Sequence, residues 1–207
     1  MGIITAADLK EYRDVDDSLD DTTLGWAVDA ANRAVIEHCG RDFTKTAIVD
    51  ASARVLEPED EQDLEVWDFW TTTGLIVKTS SADNMIFDVT WTLNTDFLVE
   101  PFNGLNESGQ SVPYNEIEAI GAKWFPVGRR RPSVQITAAW GWASVPGPVF
   151  QATLLIANRI ASRRKSPEGV LGGMADFGAV RVSNREDPDA LRLLAPFRKP
   201  ERTAMVG

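Results

Sequence analysis

The sequence predicts an α+β fold: an N-terminal helix pair and one long C-terminal helix packed with an antiparallel β section, followed by an extended C-terminal arm. Apolar residues recur at steps of three and four on both sides of the middle section, which is typical of helices. From about 46 to 140, short β-branched and aromatic runs alternate with Gly, Asn, Asp, Ser and Pro clusters, which favours antiparallel strands. After residue 165 the segment SPEGVLGGMADFGAV is rich in Gly and has few apolar residues that could anchor it.

Two helices are predicted near the N-terminus. The first covers about residues 5–13, with Thr5 as its N-cap and Asp8 placed to complete a capping box. The second covers about residues 21–39 and ends before Gly40, because glycine favours the left-handed backbone that follows helices. Its apolar stripe consists of Leu24, Val28, Ala31, Val35 and Cys39.

The β section is predicted from six short runs separated by turn-forming residues. These runs are AIVDASARVLEP, DLEVWDFW, GLIVKT, MIFDVTWTL, DFLVEPF and SVQITAAWGW. The polar segment PFNGLNESGQSVP is expected to form a long exposed loop within the section.

A long helix is predicted over about residues 147–165, with Pro148 in its first turn. Apolar residues surround most of its circumference, so the helix needs cover on two sides. The second cover is either the rest of its own domain or another subunit. The helix ends on Arg163, Arg164 and Lys165, and cations at a helix C-terminus offset its dipole. These cations could also contact an acidic neighbour or, weakly, a DNA backbone.

Residues 166–207 are predicted to form the extended arm, with one short strand (AVRVS) and one short helix (DPDALRLLAPFRK). Asp187 is expected to cap this helix, and Pro188 suits its first position. Its apolar side consists of Leu191, Leu194 and Phe197. Because the arm has too little mass for a core, we expect it to dock on another surface.

Charge is distributed unevenly along the chain, whose formal net charge is −10. Residues 1–122 carry 25 acidic and 7 basic residues, whereas residues 123–207 carry 6 acidic and 14 basic residues. This split predicts either self-association or pairing of the two halves within one chain. The overall acidity disfavours a general nucleic-acid binder. The basic run Arg129–Arg131 also lacks the interleaved aromatic residues that nucleic-acid sites usually add.

Residue patterns for catalysis, metal binding or cofactor binding are missing from the sequence, so we expect no enzyme, no metal and no cofactor. His38 and Cys39 are the only residues of their types, and neighbouring positions on a helix do not face each other. The acidic run DVDDSLDD lacks the Gly and the final Glu of a calcium loop. With one cysteine, no secretory signal and no bilayer-spanning stretch, the sequence predicts a reducing cytoplasm and no membrane contact.

Several ordered segments resemble the head–tail connector (adaptor) proteins of long-tailed bacteriophages, particularly phages of actinobacteria. The segments are GRDF after the second helix, DFLVEPFN, the GW-x-x-VP turn into the long helix, the basic helix end with SPEGV, and FGAVRVS with DPDALRLLAPFRK. Together they cover most of the chain in order.

The resemblance implies a structural protein of the virion neck, assembled in the host cytoplasm. Family members form a ring, usually of twelve subunits, on the portal protein. The ring extends the DNA channel and is the docking platform for stopper or tail-completion proteins, while genomic DNA passes without sequence-specific binding. Residues 1–165 would then be a connector domain and residues 166–207 the arm that reaches the portal.

Two sets of site residues follow from the resemblance together with the helix and charge patterns. The predicted portal-docking residues are Val180, Arg181, Val182, Leu191, Leu194, Phe197 and Arg198. The predicted inter-subunit residues are Leu155, Arg159, Arg163, Arg164 and Lys165.

Other functions remain open from the sequence alone. One is another neck component, such as a stopper or tail-completion protein. A second is a carbohydrate-binding or hydrolytic β module, in which some of the seven tryptophans stack on sugars and carboxylates of EPEDEQDLE or NEIE act as an acid/base pair. A third, a host DNA-associated regulator, is disfavoured by the acidity.

Overall fold

The computed structural model describes residues 2–15, 20–164, 170–171, 180–181 and 187–199. It divides the chain into two compact units: a helical unit, Met1–Arg41 with Val145–Gly207, and a β unit, Asp42–Ser144. The helices are α1 (Ala6–Arg13), α2 (Asp21–Cys39), α3 (Gly147–Arg164) and α4 (Pro188–Leu194). The predicted α+β class, the first three helices and the short tail helix are therefore confirmed.

The first two helices begin and end where their capping residues lie. Thr5 and Asp8 form a reciprocal capping box at the start of α1, and Gly40 follows α2 with a φ of 63°. Lys10 on α1 forms an ion pair with Asp21 at the start of α2. All five residues of the predicted α2 stripe are buried in the helical unit: Leu24, Val28, Ala31, Val35 and Cys39.

Helix α3 is the central element of the helical unit, because it packs against α1, α2 and α4. Its residues Val149, Ala152 and Ala157 are fully buried. Much of the second cover that the sequence left open is thus provided by the chain's own tail helix α4. The backbone N–H of Lys199, just after α4, also donates to the Cys39 carbonyl at the end of α2, at 2.8 Å.

The β unit contains two antiparallel sheets. One has four strands in the order β1–β7–β3–β4, and the other has three in the order β2–β6–β5. The strands are β1 (Ser52–Leu56), β2 (Asp63–Phe69), β3 (Ile76–Thr79), β4 (Val89–Trp91), β5 (Phe97–Glu100), β6 (Tyr114–Ala119) and β7 (Val134–Ala138). A separate two-residue pair, β8 (Val170–Leu171) and β9 (Val180–Arg181), lies in the tail.

Both sheets contribute to one buried cluster. Phe69, Phe97 and Ile117 of the three-stranded sheet share it with Val77 and Ile136 of the four-stranded sheet. The inner face of each sheet is therefore apolar, and the alternate residues of each strand lie on an outer face. The β unit is a small sandwich with two outer faces.

Two parts of the structure differ from the sequence expectation. Strand β6, the middle of its sheet, was not predicted, because YNEIEA offers only Ile117 and Ala119 as buried residues. The described part of the tail at residues 187–199 contacts its own helical unit instead of extending away from it. The predicted boundary at residue 165 lies outside the described residues.

Candidate functional site

A groove in the helical unit brings together residues from both predicted site sets. It has a cavity of about 200 Å³ between α2, α3 and α4. Its walls include Arg159 and Arg163, predicted for inter-subunit contact, and Leu191 and Leu194, predicted for portal docking. The remaining lining residues are Ala34, His38, Ile156, Ile160, Asp187 and Ala190. We refer to this cavity as the tail groove.

Helix α4 is held against α3 by packing, a cap and an ion pair. Leu194 is 1% exposed and Ala190 is fully buried, so one face of α4 belongs to the core of the helical unit. Asp187 caps α4 by accepting from the Asp189 N–H at 3.0 Å. Its carboxylate also lies 4.0 Å from Nη1 of Arg159 on α3, with both side chains largely buried. Leu194 is thus a structural anchor within this chain.

The other predicted site residues differ in accessibility. Leu155, Leu191 and Phe197 are half-buried, and Arg163 and Arg198 are exposed. Arg198 lies near Cys39, whose thiol pKa is raised by burial and lowered less by the charges of Arg198 and Arg41. For Arg164, Val180 and Arg181 only the backbone is described, in α3 and β9. Lys165 and Val182 lie outside the described residues.

The outer face of the three-stranded sheet carries acidic residues that the sequence did not bring together. Asp63 lies opposite Glu118, and Glu65 lies opposite Glu116. Glu116 is also opposite Glu100 of β5. We call these five residues the carboxylate face. Burial raises the pKa of Glu116, and the four neighbouring carboxylates raise it further.

An alternation of acidic and apolar residues could have revealed this face. DLE in β2 and EIEA in β6 place carboxylates on the side opposite buried residues, and VE in β5 places one on the side opposite the half-buried Val99. The sequence expectation treated EPEDEQDLE and NEIE only as possible acid/base pairs. Their cross-strand arrangement required the β2–β6–β5 order, which no single run of residues encodes.

The tryptophans of the β unit are mostly structural. Trp91, Trp140 and Trp142 are buried, and each indole N–H donates a hydrogen bond within the unit. Trp67 and Trp124 differ because 47% and 55% of their surfaces are exposed. The guanidinium of Arg54 lies over the rings of Trp67 and Trp140, at 5.0 and 4.3 Å from their centroids. Burial lowers the pKa of this guanidinium.

Within the described ranges, no group of three or more His, Cys, Asp and Glu side chains is arranged to hold a metal ion. Among these described residues, no helix has the length and apolar character of a membrane span.

Comparisons with known proteins give a shared fold. No protein-family model matches the chain, and no curated protein matches its sequence. A chain from the neck of an empty gene transfer agent (GTA) particle, computed with C6 symmetry, has a TM-score of 0.56 at 15% identity, over 96% of this chain and 90% of that one. A chain from the virion of a native GTA particle has a TM-score of 0.54 at 17% sequence identity, over 96% of this chain and 90% of that chain. A chain from the neck of a native GTA particle, computed with C12 symmetry, has a TM-score of 0.53 at 16% identity, over 94% of this chain and 91% of that chain.

Proposed function

We propose that this chain is a structural protein of the neck of a tailed, phage-like particle. The observation that carries the proposal is the fold shared with chains of GTA neck and virion reconstructions over at least 94% of this chain. The resemblance of segments near both ends of the chain, such as GRDF and DPDALRLLAPFRK, to head–tail connectors points to the same location.

Within the neck, we assign the chain the role of head-to-tail adaptor. Copies form a ring of twelve on the portal protein, extend the DNA channel and carry the stopper or tail-completion protein. The C6 and C12 symmetries of the similar neck reconstructions are consistent with twelve copies. In this role the protein performs no catalysis and needs no cofactor, and DNA passes without sequence-specific contact.

The burial of the residues in and near the tail groove suggests which predicted site residues contact the portal and which contact a neighbouring subunit. Since Leu194 is buried in its own chain, portal contact falls on the accessible residues near it: Leu191, Phe197 and Arg198. We assign contact with a neighbouring subunit to Arg163, which is exposed at the end of α3, and to the half-buried Leu155. Val180, Arg181 and Val182 extend the portal contact, and Arg164 and Lys165 extend the subunit contact.

Deleting the gene for this chain from its particle tests the proposal. We expect DNA-filled heads and separate tails, because the joining ring is missing, and antibody label at the head–tail junction of normal particles. Co-purification with portal protein alone distinguishes an adaptor from a stopper, which binds the adaptor. Normal tailed particles in the deletion strain would contradict the proposal.

A further inference from the structure

The carboxylate face is an unfavourable arrangement in an isolated chain. Like charges directly opposite each other on neighbouring strands destabilise a sheet, and here two such pairs meet on one residue, Glu116. The third pair joins Asp63 to Glu118. Four of the five residues are half-buried rather than fully solvated, so solvent does not fully screen their repulsion. In the described part of the chain, Asp63, Glu100, Glu116 and Glu118 form no ion pair, so contact with cations would stabilise this part of the face.

A matching cationic surface lies in the same β unit. The loop between β6 and β7 contains Arg129–Arg131, preceded by Gly128 in a left-handed conformation at a φ of 66°. Arg130 and Arg131 are exposed, and Arg129 is half-buried. In the described part of the chain, no carboxylate lies within 4.0 Å of these three guanidiniums. The loop and the carboxylate face are therefore complementary but not paired with each other.

We propose that the carboxylate face of one copy binds the Arg129–Arg131 loop of the next copy. Guanidinium groups suit this role because they form paired hydrogen bonds with carboxylates. Two different patches on one chain that bind each other between copies make a heterologous contact, which builds a ring when the rotation between copies closes and an open filament when it does not. The inference rests on the proposed function for the ring, and it assigns one of the ring's interfaces to the β unit.

Charge complementarity favours a second copy over nucleic acid as the occupant. Five carboxylates repel a phosphate backbone, so the face does not bind DNA. No aromatic residue is interleaved among Arg129–Arg131, as nucleic-acid sites usually require; the exposed Trp124 lies five residues before them in the same loop. A second copy supplies both surfaces at the concentration of the chain itself.

Charge reversal with rescue tests the contact in the full chain. The loop variant R129E/R130E/R131E and the face variant E100K/E116K/E118K are each compared with wild type by mass photometry, alone and with portal protein. We expect each variant to lower the association constant at least tenfold, because like charges then meet. An equal mixture should regain assembly, since the reversed face of one variant fits the reversed loop of the other.

The control variant D50K/D83K/E107K reverses three exposed carboxylates elsewhere in the β unit, with the same change in net charge as the face variant. We expect it to assemble as wild type does. Rings that form on portal with either reversed variant alone would overturn the inference while leaving the neck function intact. A wild-type chain that stays monomeric with its portal would overturn both.

Disulfide cross-linking tests the same contact with single cysteine substitutions. It therefore does not require the chain to remain folded with three charge reversals. E116C and R130C are made singly and mixed under oxidising conditions; the native Cys39 is 1% exposed and does not compete. We expect a disulfide-linked dimer only in the mixture. A cross-link in either variant alone, or none in the mixture at concentrations where wild type assembles, would overturn the contact.

Discussion

The two outer faces of the β sandwich cover one core but differ in charge. On the outer face of the four-stranded sheet, Lys78 is charged and the other outward residues are uncharged. These uncharged residues are Ala53, Val55, Ile76, Thr90, Gln135 and Thr137. The outer face of the three-stranded sheet instead carries five carboxylates, of which Asp63 is exposed and the other four are half-buried. Core packing requires only the inner residues, so both outer faces could have been neutral. This difference is the observation from which we infer a contact of the charged face with a second copy.

The largest difference in stability is expected between substitutions on the inner side and on the outer side of strand β6. Ile117 is 0% exposed in the core, and its neighbour Glu116 lies on the carboxylate face. We expect Ile117→Ala to lower the free energy of unfolding by about 2–5 kcal/mol, because it leaves a cavity. Chemical denaturation measures the change.

Glu116→Ala is the matched control on the outer side of the same strand. We expect it to change the free energy of unfolding by less than about 1 kcal/mol. Equal losses for the two variants would show that β6 does not divide the unit into an inner and an outer side.

The two sides of helix α4 differ in burial. Leu194 is buried against α3, whereas Leu191 is half-buried in the wall of the tail groove. We expect Leu194→Ala to lower the free energy of unfolding by about 2–3 kcal/mol and Leu191→Ala by less. Because Ala190 and Leu194 belong to the core of the helical unit, deleting residues from 187 onward should also lower the melting temperature.

Portal attachment should be affected more by Leu191→Ala than by Leu194→Ala, the opposite of the order expected for stability. We expect Leu191→Ala to weaken portal attachment more than its effect on stability explains, since the side chain is accessible. If Leu191→Ala leaves attachment unchanged while Leu194→Ala abolishes it in a folded protein, α4 leaves the groove to bind, and the division of roles is wrong.

The smallest expected effect is the pH dependence of Glu116→Gln. The raised pKa of Glu116 in the folded state means that folding favours its protonated form. Its stabilising contribution is full below the ordinary value of 4.5 and is lost as pH rises through the folded value. The substitution should therefore raise stability by about 0.5 kcal/mol at neutral pH, and the gain should vanish in acid.

Asp88 gives a control of opposite sign. Hydrogen bonds from the Ser81 hydroxyl and N–H lower the pKa of Asp88, so its contribution is present at neutral pH and is lost as pH falls. Asp88→Asn should lower stability at neutral pH but not in acid. Thermal melts of both variants between about pH 3 and 7 measure these trends; parallel curves would contradict the origin assigned to the Glu116 shift.

Local patterns predicted most of the fold. Capping residues and apolar stripes located the helices, because these determinants lie within a few residues of one another. Strand β6 was missed because half of its residues are acidic or amide side chains, and its burial depends on two strands distant in sequence. The packing of α4 on α3 was missed for a similar reason. Its apolar side predicts docking, but does not distinguish its own chain from a partner.

Cryo-electron microscopy of the wild-type chain mixed with its portal protein tests whether copies form a ring through the arginine loop and the carboxylate face. We expect a closed ring on the portal, which adds a whole multiple of 22.8 kDa. In this ring the Arg129–Arg131 loop of each copy lies against the carboxylate face of the next. Portal particles without added density, beside a chain that remains monomeric, would contradict it.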